Sequence, residues 1–286
     1  CTGGRLECCE GQWRDWGATT LSAHSKLSMN IPGGVGYDHL FRISVGGQQS
    51  NSVAVRYLAP RVTSVLNQSL PTSSSVAPSG SPGLISILGE NFGIVGSDTA
   101  ARYGAPTVRI GARICSVNGW SNTKIVCQLP AGEGKNLPVI VVSGGQSSDA
   151  LKNNGIYSYA RPSITSFAPR YGSTDGSTKI YVNGTNFGTR DAVVKLVFYR
   201  QGSNPPVEFK RDVSDHTHMK LNGVHMPEGQ GGNLTFRVEV SGQESDPFTV
   251  SPLTGINASG YPHLVNLAQG ELYLPPLLHS VVPNHG

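Results

Sequence analysis

One phrase of sequence recurs along this chain and constrains its fold more than any other feature. Residues 161–188, RPSITSFAPRYGSTDGSTKIYVNGTNFG, echo residues 60–93, and the last twelve residues, PPLLHSVVPNHG, begin the phrase again. A second phrase runs from 127 to 149 and returns at 224–246, with an earlier version at 29–52. Such self-similarity is typical of an array of similar structural units.

The spacing of the repeats predicts whole domains. Pro60, Pro162 and Pro276 open successive copies that lie about 100 to 115 residues apart, which is the length of a domain and not of a solenoid repeat. We expect a first repeat of residues 1–59 that lacks its opening strands, a second repeat of 60–160, a third of 161–274, and at 275–286 the first strand of a further domain. The third repeat carries an extra segment from about residue 252. Its apolar residues predict an ordered segment; they are Tyr261, Leu264, Val265, Leu267, Leu272 and Tyr273.

Composition favours all-β domains. Only 14% of the residues are charged, and 36 Gly and 19 Pro supply turns at a density that would break most helices. Candidate strands are short and alternate or are β-branched. They lie at 84–89, 137–144, 179–184, 193–199 and 234–242. In LTFRVEV, Leu234, Phe236, Val238 and Val240 point to one side and Thr235, Arg237 and Glu239 to the other, which predicts a half-buried strand of an antiparallel sandwich.

The order of these motifs resembles the IPT/TIG domain family. Each full repeat has an opening proline, an alternating strand, Gly-x-Asn-Phe-Gly, then Pro-x-Gly-x-Gly and a strand that ends near Gly-Gln-x-Ser. The resemblance covers Pro60 to about Ser158 and Arg161 to about Val250, while in the first repeat GGRLECC resembles GARICSV at 111–117. It implies tandem immunoglobulin-like (E-set) β-sandwich domains arranged as beads on a string. The family occurs in plexins and related receptors, fibrocystin-like proteins and Rel-type transcription factors.

The glycine-rich turns have a structural interpretation. Gly89 and Gly93 bracket a turn in which Phe92 can pack under the sandwich while glycine takes unusual backbone angles, and Gly184 and Gly188 do the same around Phe187. A phosphate-binding loop is disfavoured, because no G-x-G-x-x-G or Gly-Lys-Ser/Thr pattern opens a helix here.

The cysteines predict one disulfide and leave others open. Cys115 and Cys127 flank a strand-turn-strand element, and a bridge between them would close a small hairpin at an edge of the second repeat; such a bridge is common in extracellular members of the family. Cys1 could pair with Cys8 or Cys9, but Met29 occupies the place of Cys127 in that repeat. With five cysteines, at least one is free, pairs between chains or bonds to a part of the protein outside this sequence.

Glycosylation signals also favour secretion. Four N-x-Ser/Thr sequons occur, at Asn67, Asn183, Asn233 and Asn257. We expect the last two to be the most accessible, ahead of Asn67 and Asn183. The Ser/Thr/Pro-rich run 71–83 is either a solvated loop or an O-glycosylated one. Its candidate acceptors are Thr72, Ser73, Ser74, Ser75, Ser79 and Ser81. No signal peptide, transmembrane run or lipidation motif is evident, which suggests an internal or mature piece of a longer protein.

Catalytic and metal sites find little support, so we expect no enzyme, no metal and no cofactor apart from covalent glycans. There is no G-x-S-x-G or H-E-x-x-H motif. His216 and His218, with His225, are the best candidate metal ligands, but an exposed hairpin is the simpler interpretation. Asp98 and Asp191 follow the Phe-Gly turns and could hold calcium, with solvated loop carboxylates as the default.

Nucleic-acid binding is disfavoured as well. The net charge of +4 is spread thinly, and the longest basic run is the pair Lys210–Arg211. The predicted disulfide and the sequons point to the outside of the cell.

Two functional hypotheses remain. In the first, the chain is a non-enzymatic extracellular structural protein, a glycosylated stalk or fibril-forming subunit that associates end to end, since a missing edge strand leaves backbone groups for a neighbouring subunit to pair with. In the second, it is an ectodomain segment of a cell-surface receptor or adhesin, like a plexin stalk, that binds a protein or glycan ligand through its loops.

Overall fold

The computed structural model describes the backbone in several stretches of the chain. They are residues 4–8, 12–16, 19–22, 26–31, 33–67, 70, 83–94, 97–148, 156–169, 172–200, 207–229 and 234–248. Contacts divide the chain into two compact units. Unit 1 consists of Cys1–Leu70, Ser74–Pro130 and Asn136–Ser158, and unit 2 consists of Pro71–Ser73, Ala131–Lys135 and Tyr159–Gly286. Regular structure in the described residues is almost all antiparallel β-strand, which confirms the predicted fold class.

The first repeat supplies the N-terminal strands of unit 1. They are β1 (Gly4–Cys8), β2 (Gln12–Trp16), β3 (Thr19–Ser22), β4 (Lys26–Ser28), β5 (His39–Val45), β6 (Gln48–Gln49) and β7 (Val53–Val55). One sheet has the order β2-β1-β5-β6, with β7 also paired to β5. β3 and β4 form a separate hairpin.

The second repeat supplies the rest of the strands of unit 1. Its elements are β8 (Arg61–Leu66), β9 (Leu84–Glu90), α1 (Ser97–Tyr103), β10 (Thr107–Ile110), β11 (Arg113–Trp120), β12 (Lys124–Gln128), β13 (Leu137–Ser143), β14 (Gln146–Ser147) and β15 (Ile156–Tyr157). The order is β14-β13-β10-β11-β12-β9-β8, with β15 on β13. The first part of β11 pairs with β10 and the later part with β12, and a register shift lies between Val117 and Gly119. One strand therefore takes part in the pairing of both halves of the sandwich.

The segment GGRLECC takes a different place from the one that the sequence comparison suggests. It resembles residues 111–117, which enter β11, yet β1 pairs with β5 in the way that β10 pairs with β13. A physical reason is available, because the backbone groups along the edge of β5 need partners and the β1–β2 hairpin provides them.

Unit 2 contains the third repeat as two separate sheets. Its strands are β16 (Ser163–Ala168), β17 (Lys179–Thr185), β18 (Val194–Arg200), β19 (Val207–Val213), β20 (His216–Thr217), β21 (Lys220–His225), β22 (Leu234–Val240) and β23 (Gln243–Glu244). The sheet orders are β16-β17-β21-β20 and β19-β18-β22-β23. β19 and β20 replace the single β11 of the second repeat, and the interruption at residues 214–215 keeps the two sheets apart.

The core of unit 2 follows the predicted period of two. Phe236, Val238 and Val240 of β22 are buried and the alternate residues are only partly buried, as the strand pattern predicts. The ring of Phe236 lies 5.0 Å from that of Phe167 and 6.0 Å from that of Phe198, measured between centroids. Burial of such large apolar side chains is the main driving force that holds the two sheets together.

The Asn-Phe-Gly turn has the same geometry in the second and third repeats. Phe92 and Phe187 are fully buried, as predicted. The left-handed backbone belongs to Asn91, with φ of 60°, and to Gly93, with φ of 74°; Asn186 and Gly188 match them at 60° and 88°.

The first glycine of each turn has a different role from the predicted one. A Cβ on Gly89 would lie within 3.0 Å of the main-chain oxygen of Arg61 and of the Phe92 ring. A Cβ on Gly184 would meet the oxygen of Ser163 and the Phe187 ring in the same way. These glycines are therefore required by close approach and not by their backbone angles.

Candidate functional site

A tyrosine in unit 1 joins three turns of the chain. We call Gly34, Val35, Tyr57, Gly93 and Gln146 the first tyrosine cluster. The Tyr57 amide donates to the oxygen of Gly36 at 3.0 Å, and Nε2 of Gln146 donates to the oxygen of Tyr57 at 3.2 Å. A Cβ on Gly34 would lie 2.6 Å from Cζ of the Tyr57 ring. The cluster thus ties the Pro-x-Gly-x-Gly turn of the first repeat to two turns of the second.

Unit 2 contains an equivalent arrangement. The second tyrosine cluster consists of Gly132, Glu133, Tyr159, Gly188 and Gln243. The Tyr159 amide donates to the oxygen of Gly134 at 3.0 Å, and Nε2 of Gln243 donates to the oxygen of Tyr159 at 2.9 Å. A Cβ on Gly132 would lie 2.5 Å from Oη of Tyr159. Every member of this cluster occupies the sequence position of its counterpart in the first cluster.

The central side chain of the turn differs between the clusters. Val35 is apolar and buried beside Gly93. Its counterpart Glu133 accepts from the amide of Thr189 at 3.1 Å and from its hydroxyl at 2.9 Å through Oε2. The main-chain hydrogen bonds recur, whereas the side chain at this position is adapted to each cluster.

The first cluster has additional support from α1. The Tyr103 hydroxyl donates to the oxygen of Tyr37 at 2.5 Å, and the Arg102 guanidinium donates to the oxygen of Asp38 at 3.0 Å. Nε2 of His39 donates to the oxygen of Val35 at 2.9 Å, and the His39 ring packs edge-on against that of Tyr57 with 5.1 Å between centroids. The tyrosines and glutamines were missed by the sequence reasoning, although Tyr-x-x-Pro before Pro60 and before Pro162 was a usable signal.

His216 and His218 lie beside the second tyrosine cluster. His216 is buried at 9% exposure, and its Nε2 donates to the oxygen of Thr189 at 2.9 Å, so the expected exposed hairpin is wrong at this residue. Burial lowers the pKa of His218, while the nearby Glu133 carboxylate opposes that shift. Among the described residues no three His, Cys, Asp or Glu side chains lie close enough to hold a metal ion, and His225 and Asp191 are exposed. The Asp98 side chain lies outside the described part.

A disulfide joins Cys115 of β11 to Cys127 of β12, with 5.8 Å between the Cα atoms. Both cysteines are buried, so the bridge lies in the interior and not at an exposed edge as the sequence suggested. The reason is that β11 has β10 and β12 as partners on its two sides. Cys1, Cys9 and the Cys8 side chain fall outside the described residues.

Two of the four sequon asparagines, Asn67 and Asn183, lie among the described residues. Asn67 follows β8 with φ of 60°, and its side-chain amide donates to the main-chain oxygen of Leu84 at 3.1 Å. Asn183 lies in β17, is exposed, and donates to Oγ of Ser166 at 3.1 Å. The other predicted sites lie outside the described residues; they are Asn233, Asn257, Thr72, Ser73, Ser74, Ser75, Ser79 and Ser81. The extra segment from about 252 and the strand at 275–286 do so as well.

The outer face of the β19-β18-β22-β23 sheet carries paired charges. The Arg237 guanidinium lies 4.7 Å from the Tyr199 ring centroid, 2.9 Å from the Glu244 carboxylate and 3.4 Å from that of Glu208. Desolvation raises the pKa of Tyr199 to about 12, although the positive charge of Arg237 opposes the shift. Since the described acidic and basic side chains of this face are paired, they form no concentrated positive patch. Among the described residues there is also no helix of the length and apolarity that a membrane crossing requires.

The sheets and the recurring turns define the class of protein to which this chain belongs. Antiparallel sheets packed over a shared core, with the same turns in successive repeats, are those of immunoglobulin-like β-sandwich domains. Residues 71–159 and 162–253 each match the IPT/TIG domain, which together is well over half of the sequence. The chain therefore belongs to the IPT/TIG family, whose immunoglobulin-like domains are non-catalytic.

Individual proteins resemble the chain over part of its length or at low identity. Fibrocystin-L of Mus musculus is 30% identical over 117 residues, which is 38% of this chain and 2% of that protein. The match to the extracellular region of plexin A4 spans 85% of this chain and 29% of the plexin chain, with 14% identity and a TM-score of 0.29. The match to a surface glycan-binding protein from Prevotella bryantii spans 65% of this chain and 41% of that protein's chain, with 11% identity and a TM-score of 0.36. At such low TM-scores neither structure informs the function.

Proposed function

We propose that this chain is a non-enzymatic structural segment of a larger extracellular or cell-surface protein, in which glycosylated IPT/TIG repeats form a stalk. The observation that carries the proposal is the recurrence of the tyrosine cluster in both units with the same hydrogen bonds. A loop that binds a ligand has no reason to recur in every repeat. A contact that holds neighbouring turns of the chain in place has to recur each time the repeat does.

The contacts of the first cluster are of the kind that a rigid stalk requires. Its hydrogen bonds run from main-chain groups of Tyr57 and from Gln146, so they fix the backbone and not only the side chains. Val35 is 7% exposed, and Gly34, Gly93 and Gly144 permit close approach of turns that a Cβ would separate. Domains that share a small polar interface are expected to move relative to each other, and a close-packed cluster opposes that motion.

Two chemical features of the chain favour a location outside the cell. A buried disulfide such as Cys115–Cys127 persists in an oxidising environment, which the outside of the cell provides. The four sequons are consistent with passage through the secretory pathway. The similarity to Fibrocystin-L supports a large protein with the same kind of domain, although it covers only a small share of that protein.

A pair of glycine variants tests the role of the first cluster. We expect Gly34→Ala to push the Tyr57 ring away and to raise amide exchange throughout residues 33–57 on the order of tenfold, while β9 and β12 keep their protection. Gly33→Ala is the matched control, because a Cβ there would have nothing within 4 Å. Equal exchange in the two variants would contradict the proposed role of the cluster.

The stalk itself is tested on the native, glycan-bearing protein. Electron microscopy should find regular rods or fibres with an axial repeat of sandwich length, and sedimentation should reveal the end-to-end association that the sequence predicts. Discrete particles that saturably bind a protein or glycan ligand would instead support the receptor or adhesin hypothesis and would overturn the stalk.

A further inference from the structure

The outward face of β17 places an aromatic ring beside the two defining residues of an N-glycosylation sequon. Ile180, Val182 and Gly184 point into the core, so Tyr181, Asn183 and Thr185 point out. Asn183 and Thr185 are the acceptor and the hydroxyl residue of one sequon. Because residues two apart on a strand lie about 6.6–6.8 Å apart, the Tyr181 ring stands beside the Asn183 side chain on the same surface.

The Asn183 carboxamide is available for modification. It is exposed, and the partner of its amide is the side-chain hydroxyl of Ser166, which can rotate to a different partner. The carboxamide of Asn67 is held differently, since it donates to the main-chain oxygen of Leu84 from a left-handed backbone. A glycosylated asparagine keeps one N–H, so the 3.1 Å contact to Ser166 can survive the modification.

Tyr181 presents an aromatic ring to the surface beside the sequon. It is 44% exposed and stands opposite Ala168 of β16, with the Lys220 ammonium 5.7 Å from the ring centroid. One side of the ring is therefore near a cation and much of the remainder faces solvent. The C–H groups on one face of a pyranose ring are apolar, and they fit against an aromatic face in the same way as an aliphatic side chain does.

We propose that Asn183 carries an N-linked glycan whose first N-acetylglucosamine packs on the Tyr181 ring, so that the modification is part of the folded surface of unit 2. The inference rests on the proposed extracellular function and deepens it by assigning a structural role to one glycan. The sequence ranked Asn183 behind Asn233 and Asn257. The neighbouring Tyr181 ring adds a role for a glycan at this position, because a sugar with a partner on the protein surface stabilises the strand that bears it.

The experiment uses the full chain secreted from cells that add N-glycans. Peptide mass spectrometry measures occupancy at Asn183, and an endoglycosidase then trims each glycan to a single N-acetylglucosamine. Thr185→Ala removes the sequon and Thr185→Ser keeps it, which makes the two a matched pair at an exposed position. The unfolding constant of unit 2 is read from amide exchange in β17.

A double-mutant cycle then isolates the sugar–ring contact. We expect the unfolding constant of the Thr185→Ala chain to exceed that of the trimmed Thr185→Ser chain on the order of threefold to tenfold, which is the usual range for an aromatic contact. With Tyr181→Ser in both chains, the ratio should fall to about one. A ratio that is unchanged by Tyr181→Ser would overturn the packing contact.

The outcomes separate this proposal from the proposed function. If Asn183 is empty while other sequons carry glycans, the Asn183 site is wrong and the extracellular stalk stands. If the secreted chain carries no glycan at any of the four sequons, both proposals fail. Occupancy at Asn183 with a Tyr181-dependent stability difference supports both.

Discussion

The glycines that open the Asn-Phe-Gly turns should be the least replaceable residues of this fold. In Gly89→Ala the new Cβ would overlap the main-chain oxygen of Arg61 and the ring of Phe92. The oxygen cannot retreat without disturbing the pairing of β8 with β9, in which Val62 stands opposite Gly89. The ring cannot retreat either, since Phe92 is fully buried.

The magnitude follows from two opposing effects. Overpacking of a close-packed core destabilises a protein by about 1–3 kcal/mol, and at Gly89 two rigid groups are in the way, so we take the upper end of about 3 kcal/mol. Replacing Gly by Ala also restricts the unfolded chain, which returns about 0.4–1 kcal/mol. The net loss is about 2 kcal/mol, or roughly 8–16 °C in Tm for a domain of this size.

Calorimetry of the full chain checks this value, and amide exchange identifies the strands that lose protection. Gly119→Ala is the matched control, because it also replaces a strand glycine of the second repeat but its Cβ would lie 3.9 Å from the nearest atom, Cβ of Val126. We expect that control to lie within about 0.5 kcal/mol of wild type or slightly above it. Gly184→Ala should reproduce the loss in unit 2, since its surroundings are the same. If Gly89→Ala and Gly119→Ala unfold at the same temperature, close approach is not the reason for the glycine.

Further predictions concern the disulfide, the buried tyrosines and the charged face. Replacing Cys115 and Cys127 by serine should destabilise the second repeat by about 3 kcal/mol and leave the third repeat unchanged, as calorimetry with and without reductant would reveal; an equal loss in both repeats would refute a local role. Burial raises the pKa of Tyr157 to about 12 and desolvation does the same for Tyr199. Between pH 10 and pH 12 the unfolded tyrosines therefore release protons that the folded ones retain, so the stability that these two tyrosines contribute should be fully present below pH 10 and be lost above it, and the loss should be smaller in Tyr157→Phe. Arg237→Met should remove the contacts to Tyr199, Glu208 and Glu244 and destabilise unit 2 by about 1 kcal/mol at low salt, with a smaller effect at high salt; an effect independent of salt would mean that the guanidinium acts by packing alone.

The strands and the identity of the fold could be predicted because they depend on local pattern. The five candidate strands coincide with β9, β13, β17, β18 and β22. Alternation along LTFRVEV is enough to tell which side of β22 is buried. The Asn-Phe-Gly motif predicts the burial of Phe92 and Phe187, because a large apolar ring directly after a strand is stabilised by packing into the core.

The remaining features depend on residues that are distant in sequence. Gly89 and Gly93 look alike in the sequence, but only the second has a left-handed backbone, and the first is explained by an oxygen 28 residues away at Arg61. The burial of the Cys115–Cys127 bridge depends on β10, which the hairpin sequence does not contain. Tyr57 and Tyr159 look like ordinary linker residues until their main-chain partners are known.

The tyrosine clusters also bear on how an array of this kind can grow. The second repeat contains both halves of the contact, because it has the Gly93 turn and Gln146 that receive Tyr57, and it has the Gly132 turn and Tyr159 that form the next cluster. A tandem duplication of such a segment of the gene would place two compatible surfaces next to each other at once, without any new mutation. Only the side chain at the centre of the turn, valine at 35 and glutamate at 133, would then be left to diverge.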